Sequence, residues 1–419
     1  YAEWNAVTNG ANVQSITLTN GSKLGSKSMD TAFQNPGTMF TVQTNCQLVF
    51  WEGGWNGSLH IQGGGIVYLW SAPSAFNGSN IILDDSAQWI SSGATNDEPI
   101  NSVITLNGVA HFTLSDHNMD YTNAISGSGG FVLDQSDHAV VLSASNTYAG
   151  PTIIGSVTNS PEVALTGNGS ISHSSLIFFG GNSPTVGHID VSGRADQTLT
   201  LAGGQTLQGV GQINGNLVVS AGATISPGGA NTTIGITVGS NPVGTLATSD
   251  NVALNGTTIV KLDGASNDVV QAAATITYGG TLSLANISGA PLAAGNSFKI
   301  FNAANYSGAF ANIVPAVPGP GLAWNIGQLG SGIISVAVST GNGRPMIRSA
   351  YAAGGNLIFS GGGGTARGTY YVLTSTNLSI PIAQWTLIAT NQSDINGNFS
   401  TTNTINYTNS DQFYIIKQP

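Results

Sequence analysis

One phrase recurs along the middle of this chain with drifting spelling: a short β-branched run, a Gly-Asn or Gly-Gly corner, then another run. Between Ser126 and about Ser339 it reads SGSGGFVLD, SNTYAGPTIIG, EVALTGNGSI, SLIFFGGN, TLTLAGGQTLQGVGQINGNLVVSAGATISPGG, NVALNGTTIVKLDG and GGTLSLANISG. Self-similarity of this kind marks a stacked repeat, in which each unit buries its apolar face only against its neighbours. Strand-like runs recur every 8 to 12 residues or so. Three features select a solenoid over a sandwich or barrel: the runs continue for more than 200 residues, equal-length hairpins are rare, and Gly or Asn corners separate short strands. Corner residues Asn168, Asn214, Asn216 and Asn255 suit left-handed backbone and side-chain ladders between coils. Leu217, Val219 and Ile225 are expected to point inward. The best helical candidate, Val269 to Ala274, is short and Ala-dependent.

The longer phrases are more specific. SNTYAGPTII at 145–154, GQINGNLVVSAGATISPGG at 211–229, TTIVKLDGASNDVV at 257–270 and the stretch from Asn296 to Val338 resemble the autotransporter-associated β-repeat of secreted bacterial passenger domains. That resemblance covers about half the chain and implies a right-handed parallel β-helix. It implies no activity, and the expectation is a passenger-type β-helix without the translocator barrel.

The expected fold is therefore all-β, with a right-handed parallel β-helix followed by a small C-terminal β-sandwich-like module. Residues 1–125 read as an N-terminal cap and early coils, 126–339 as the repeat-bearing β-helix, and 340–419 as the module. Pro345 and flanking glycines set the last boundary. Beyond it, Tyr370, Val372, Trp385 and Leu387 suggest strands with one buried face, and Asn396-Gly397 is a hairpin turn signal. At 20 to 25 residues per coil the helix would hold roughly 15 coils and run about 70 Å.

Composition narrows the function. Charged residues make up 7% of the 419, against about 25% in an ordinary domain, so the polar surface must be mostly Ser, Thr, Asn, Gln and Gly. The net charge of -10 is thinly spread, and nine scattered cations make no phosphate-binding patch, which excludes a nucleic-acid partner. No apolar run reaches the ~18 residues of a spanning helix. The start at Tyr1 suggests a mature product after removal of an export signal, hence an extracellular or cell-surface location. Cys46, the single cysteine, excludes an internal disulfide framework and reads as a small core residue.

Five places carry side chains or backbone of a kind that could support chemistry. Asp190, Arg194 and Asp196 form the nearest constellation to a carboxylate site, and a loop salt bridge explains it. Asp116, His117, Asp120, Asp134, Asp137 and His138 have ligand-type side chains without zinc or calcium spacing. Asp84-Asp85 reads as a corner. The runs GGGIV at 63–67 and SGGGGTARG at 360–368 precede no helix, so neither cradles phosphate. No catalytic, metal or cofactor site is expected, and the chain is read as a non-enzyme. Trp4, Trp51 and Trp55 near the start, and Phe413, Tyr414, Ile415 and Ile416 near the end, are the candidate assembly contacts. The function expected is a structural solenoid that polymerises through its ends or a terminal strand; a glycan-binding adhesin and a polysaccharide-degrading β-helix enzyme are the alternatives.

Overall fold

The structure, a computed structural model, describes residues 2–3, 15–26, 37–50, 57–70, 80–92, 98–134, 136–155, 159–182, 185–229, 242–339, 345–365, 368–394, 397–408 and 411–418. The chain divides into two units. The first comprises Tyr1–Gly289, Phe298–Val314 and Gln328–Ile333; the second comprises Ala290–Ser297, Pro315–Gly327 and Ile334–Pro419.

The first unit is a parallel β-helix with three faces. Its first face stacks fourteen parallel strands from Ala2–Glu3 to Asn312–Val314. The second stacks nine, from Glu98–Ile100 to Phe301–Asn302. The third is split into a six-stranded sheet ending at Ile125–Ser126 and a five-stranded sheet beginning at Thr198–Leu201. One sheet thus runs unbroken through the expected boundary at residue 125. Successive coils differ by as few as 18 residues, Leu207 to Ile225, and as many as 35, Gly211 to Leu246. That range is wider than the 20 to 25 expected, while the strands keep register. At about 4.8 Å per coil the fourteen strands rise roughly 60 Å.

Alternation explains why these short runs become strands. Strand Val109–Leu114 buries every second residue, and so do Asn216–Val219 and Thr257–Asp263, so one row enters the core and the next faces out. Register then puts like on like: Leu24, Leu48, Val67, Trp89, Phe112, Leu133, Ile154 and Phe179 form one continuous buried column. Leu217, Val219 and Ile225 point inward as expected. The helical candidate is instead strand Val269–Ala272 of the second face, where stacking against Thr245–Thr248 overrides a weak local preference.

The corners repeat a single device. Cys46 N–H donates to Gln43 O at 3.0 Å, Gly65 N–H to Gln62 O at 2.8 Å and Ala87 N–H to Asp84 O at 3.1 Å. In each turn the third residue is left-handed: Asn45 at φ 62°, Gly64 at 72° and Ser86 at 63°, and these residues stack through Asn45 N–H to Gly64 O and Gly64 N–H to Ser86 O. Buried Cys46 is the small residue closing such a turn. None of Asn168, Asn214, Asn216 and Asn255 adopts the left-handed conformation, which corrects the sequence expectation. Asn214 and Asn216 serve instead as coil-to-coil rungs, described below.

The last coil closes on aromatic rings. Tyr278 packs against Phe301, Tyr306 and Phe310 with centroids 5.0, 6.0 and 4.9 Å apart. Tyr278 donates its hydroxyl to Leu329 O at 2.8 Å, which ties the 328–333 segment to this plug.

Besides the antiparallel pair Leu322–Asn325 and Ile333–Val338, the second unit contains two three-stranded antiparallel sheets. One orders Met346–Ala353, Asn356–Gly362 and Phe399–Thr404; the other orders Thr386–Gln392, Thr369–Ser375 and Phe413–Lys417. Phe359 and Phe399 of the first meet Tyr370, Val372 and Ile416 of the second in one core, so the sheets form a small sandwich. Gly397 is left-handed at φ 73°, but the turn it closes leads from one sheet to the other, so the expected hairpin is a crossover; Asn396 lies outside the described residues. Tyr370 and Val372 are buried, whereas Leu387 is 53% exposed.

Candidate functional site

Between Ile125–Ser126 and Thr198–Leu201 the third face has no strand among the described residues, and there ionisable side chains of successive coils meet. On the second face, Glu162 of strand Glu162–Leu165 is in register with His188 of Thr185–Asp190, and Ala164 with Asp190. These positions alternate with buried Val163 and Ile189, so Glu162, His188 and Asp190 share the outward face. Burial, reinforced by the nearby Asp190 charge, raises Glu162 above the usual glutamate range. Burial lowers His188, favouring the neutral imidazole. Asp190 accepts bonds from Ser192 N–H at 2.7 Å and Asn214 Nδ2 at 3.0 Å. Sequence reading had singled out Asp190 but missed Glu162 and His188; period-2 alternation in EVAL and VGHID was the available signal, and the cross-strand register was not.

Around the corner, Arg194 clamps Asp196 through Nε and Nη2, both at 2.9 Å, and donates through Nη1 to Gly169 O of the preceding coil. The guanidinium holds Asp196 below the ordinary carboxylate range. Beside it lies a cavity of about 130 Å³ lined by Leu165, Ile171, Arg194, Thr198, Leu199 and Gln205 among others. It exists because Thr198–Leu201 is the outermost strand of its sheet while the coil before it passes as a turn segment, 166–175. Gln205 fills the role of the missing strand: Nε2 donates to Ile171 O at 2.9 Å and Ser174 O at 2.7 Å, and Oε1 accepts from Ala202 N–H at 2.8 Å. Below it, Tyr148 Oη meets Thr152 Oγ1 at 2.6 Å, and Thr152 donates to Ser174 Oγ at 2.9 Å.

Glu162 and Asp190 stand on adjacent strands of that face, about one strand diagonal apart. The cavity lining contains Arg194 but none of Glu162, His188 and Asp190, so the proton-active groups and the concave surface lie on different faces. Asp190, Arg194 and Asp196 therefore do not converge on one reacting point.

The other predicted residues are dispersed. His117 lies buried with Nε2 3.0 Å from Ser91 Oγ, Asp116 accepts from Ser92 Oγ at 3.1 Å, and Asp134 is 3.7 Å from His111 Nδ1. Asp84 binds His60 at 2.9 Å and Asn107 at 3.0 Å, and Asp85 accepts from Val109 N–H at 3.1 Å. Among the described residues no three His, Cys, Asp or Glu side chains gather as a metal site would require. Trp4, Trp51 and Trp55 lie outside the described residues. Phe413, Tyr414, Ile415 and Ile416 lie in strand Phe413–Lys417, which pairs with Thr369–Ser375; Ile416 is buried in the module's own core and the other three are half-buried.

Compared with known proteins, the chain matches no family model, no curated protein and no solved structure. The resemblance to autotransporter-associated repeats accordingly rests on its phrases alone.

Proposed function

We propose that this chain is an extracellular structural β-solenoid, a surface or matrix element that self-assembles into a fibre. One observation carries the reading: polar side chains that could do chemistry are engaged in holding each coil to the next. Asp84 joins coils through His60 and Asn107, Asp190 through Asn214, and Asn214 through Ser249 Oγ at 3.0 Å. Asn216 accepts from Asn251 Nδ2 at 3.0 Å, and Arg194 reaches Gly169. Buried Asp268 is paired with Lys261 at 2.6 Å, and it also accepts from Gly244 and Lys261 N–H groups at 2.9 and 2.8 Å. A wall of Ser, Thr, Asn and Gly with 7% charge opposes self-association weakly, since little like-charge repulsion guards it. The resemblance to passenger repeats supports placement outside the cell.

Glycan adhesion is a second reading, favoured by Tyr68 and Trp70, whose rings stack at 5.7 Å with Trp70 44% exposed; such a platform suits a sugar face. The test is to incubate the purified full chain with a panel of polysaccharides while following light scattering and negative-stain images. Growth of regular assemblies, with no new reducing ends and no saccharide retained, is expected. Reproducible cleavage that is lost in Asp190→Ala or Glu162→Gln would overturn the reading in favour of an enzyme, and saccharide binding lost in Trp70→Ala would overturn it in favour of an adhesin.

A further inference from the structure

Among the described edge strands of the second unit, one is exposed at every residue. Met346–Ala353, eight residues, is the longest of the described strands, and every residue in it is exposed. It is the outer strand of its sheet, with Asn356–Gly362 on one side only. The pairing dictates which backbone groups are left over. The two-residue turn Gly354-Gly355, with φ of 57° and 78°, makes Ala353 and Asn356 a hydrogen-bonded pair. Ile405 N–H donates to Gly355 O at 3.0 Å, which fixes the same alternation from the far side of the middle strand. Ala353, Tyr351 and Ser349 therefore bond inward, and the N–H and C=O groups of Ala350 and Ala352 point out of the sheet edge.

Side chains tell the same story. Ala350 is opposite Phe359 and Ala352 opposite Leu357, so both alanines share the face that builds the sandwich core. They stay exposed because the opposing sheet packs beneath the other two strands, through Phe359 with Tyr414 at 5.7 Å and Tyr370 with Phe399 at 5.2 Å. Met346–Ala353 overhangs that core. Met346 is 68% and Tyr351 56% exposed, and Arg348 is the only charge on the strand. A long, apolar, nearly uncharged edge is what soluble proteins otherwise shorten, charge or cover.

We propose that Met346–Ala353 pairs antiparallel with the same strand of a second copy across a two-fold axis, joining two three-stranded sheets into one of six. This rests on the self-assembly reading and supplies it with a joint. Three features select a second copy through the same strand. The opposite edge of the sheet, Phe399–Thr404, runs parallel to Met346–Ala353 because both are antiparallel to the strand between them; copies related by translation would meet in a parallel junction, whereas like edges related by a two-fold keep the antiparallel pattern. The outermost strands of the coils are short: Ser15–Leu18 and Asn305–Gly308 have four residues and Asn312–Val314 three. Lastly, two-fold registers centred on Ala350 or Tyr351 match the outward groups, and neither sets Arg348 opposite its copy.

The joint is a weak one. Eight residues give about 26 Å of edge, and a strip roughly 10 Å wide on each copy buries on the order of 500 Å² in all, below the ~1,000 Å² of a stable pair. Association should therefore depend on concentration and gain strength only where several copies engage together.

The experiment uses the full chain. On the two-fold axis opposed residues stand about 5.5 Å or less apart between Cα atoms, within disulfide range, and the native Cys46 is buried. Ala350→Cys and Tyr351→Cys are compared with Leu387→Cys on the other sheet's edge under mild oxidation. One of the first two should form covalent dimers at least tenfold faster than the third. Ala350→Pro, which removes only an outward N–H, should weaken dimerisation in light scattering at least tenfold. Equal cross-linking rates, or association unchanged by Ala350→Pro, would overturn the proposal. Fibres that persist unchanged in Ala350→Pro would keep the structural reading and remove this joint. Dimers sensitive to Ala350→Pro in a wild-type chain that forms no fibres would keep the joint and remove the fibre.

Discussion

The two units manage the same problem, unpaired strand edges, in opposite ways. In the β-helix every strand of the first face except the outermost has a neighbour above and below, the left-handed corners stack, and the last coil ends on the Tyr278, Phe301, Tyr306 and Phe310 plug. In the sandwich each sheet has only three strands, so two of every three are edges. Charge divides along the same line. All the acidic residues but Asp394 and Asp411 belong to the first unit, while Arg344, Arg348, Arg367 and Lys417 are four of the nine cations and belong to the second. Repetition lets the helix satisfy itself, and the short module is left with strand edges open to solvent.

The largest test of this contrast is a truncation within the buried column. Phe112→Ala removes a ring packed between Trp89 and Leu133 in register and should cost about 4 kcal/mol. The β-helix transition should move in calorimetry while the module's transition stays. By contrast Met346→Ala, on the open strand, should change stability by less than about 0.5 kcal/mol; comparable effects would erase the distinction.

Next comes the buried ion pair. Asp268 is fully buried, and burial holds it above the usual carboxylate range even beside Lys261. Lys261→Met should destabilise by about 3 kcal/mol by leaving that carboxyl without its cation, read as a lowered denaturant midpoint. A midpoint at the wild-type value would mean that the Gly244 and Lys261 N–H groups satisfy the Asp268 carboxyl by themselves.

A smaller effect is expected at the coil-to-coil rungs. Asp190→Ala loses the bonds to Ser192 and Asn214 and should cost about 1 kcal/mol, with no loss of assembly in scattering. The smallest effect has a pH signature. Since burial raises Glu162, the folded state holds its proton more tightly than the unfolded chain. The charged form therefore costs stability at neutral pH, and the cost fades as pH falls through the raised value toward ~4.3. Glu162→Gln should raise the unfolding temperature slightly at pH 7 and not at pH 4, a difference of a few tenths of a kcal/mol after solvent screening of a half-exposed group. A larger gain at pH 4 would have the wrong sign.

Much of the fold was legible because a coil writes its own period. The alternation in NLVV, TLTL and TTIVKLD announced strands, and AGA or GGQ announced the corners. What could not be read was which coils meet. Glu162 and His188 are 26 residues apart, and their meeting depends on the corner lengths between them. Asn214 and Asn216 were visible as corner residues, yet their role turned on Asp190, Ser249 and Asn251 in adjacent coils. In the module, Tyr370 and Val372 showed their buried face, but the overhang of Met346–Ala353 arises from how two sheets are offset, which no local pattern records. Phe413 to Ile416 looked like a free apolar tail because the sequence does not show that Thr369–Ser375 pairs with it.

The most direct measurement is hydrogen exchange of the full chain, resolved to single amides, at low and high protein concentration. Amides along the stacked faces, such as those of Val67, Phe112 and Leu217, should be strongly protected at both concentrations. Those of Ala350 and Ala352 should exchange at nearly open rates in dilute protein and become protected as concentration rises. Protection of Ala350 and Ala352 already complete in the dilute monomer, or exchange that stays fast at every concentration, would contradict the account of a closed coil stack carrying an open, self-pairing edge.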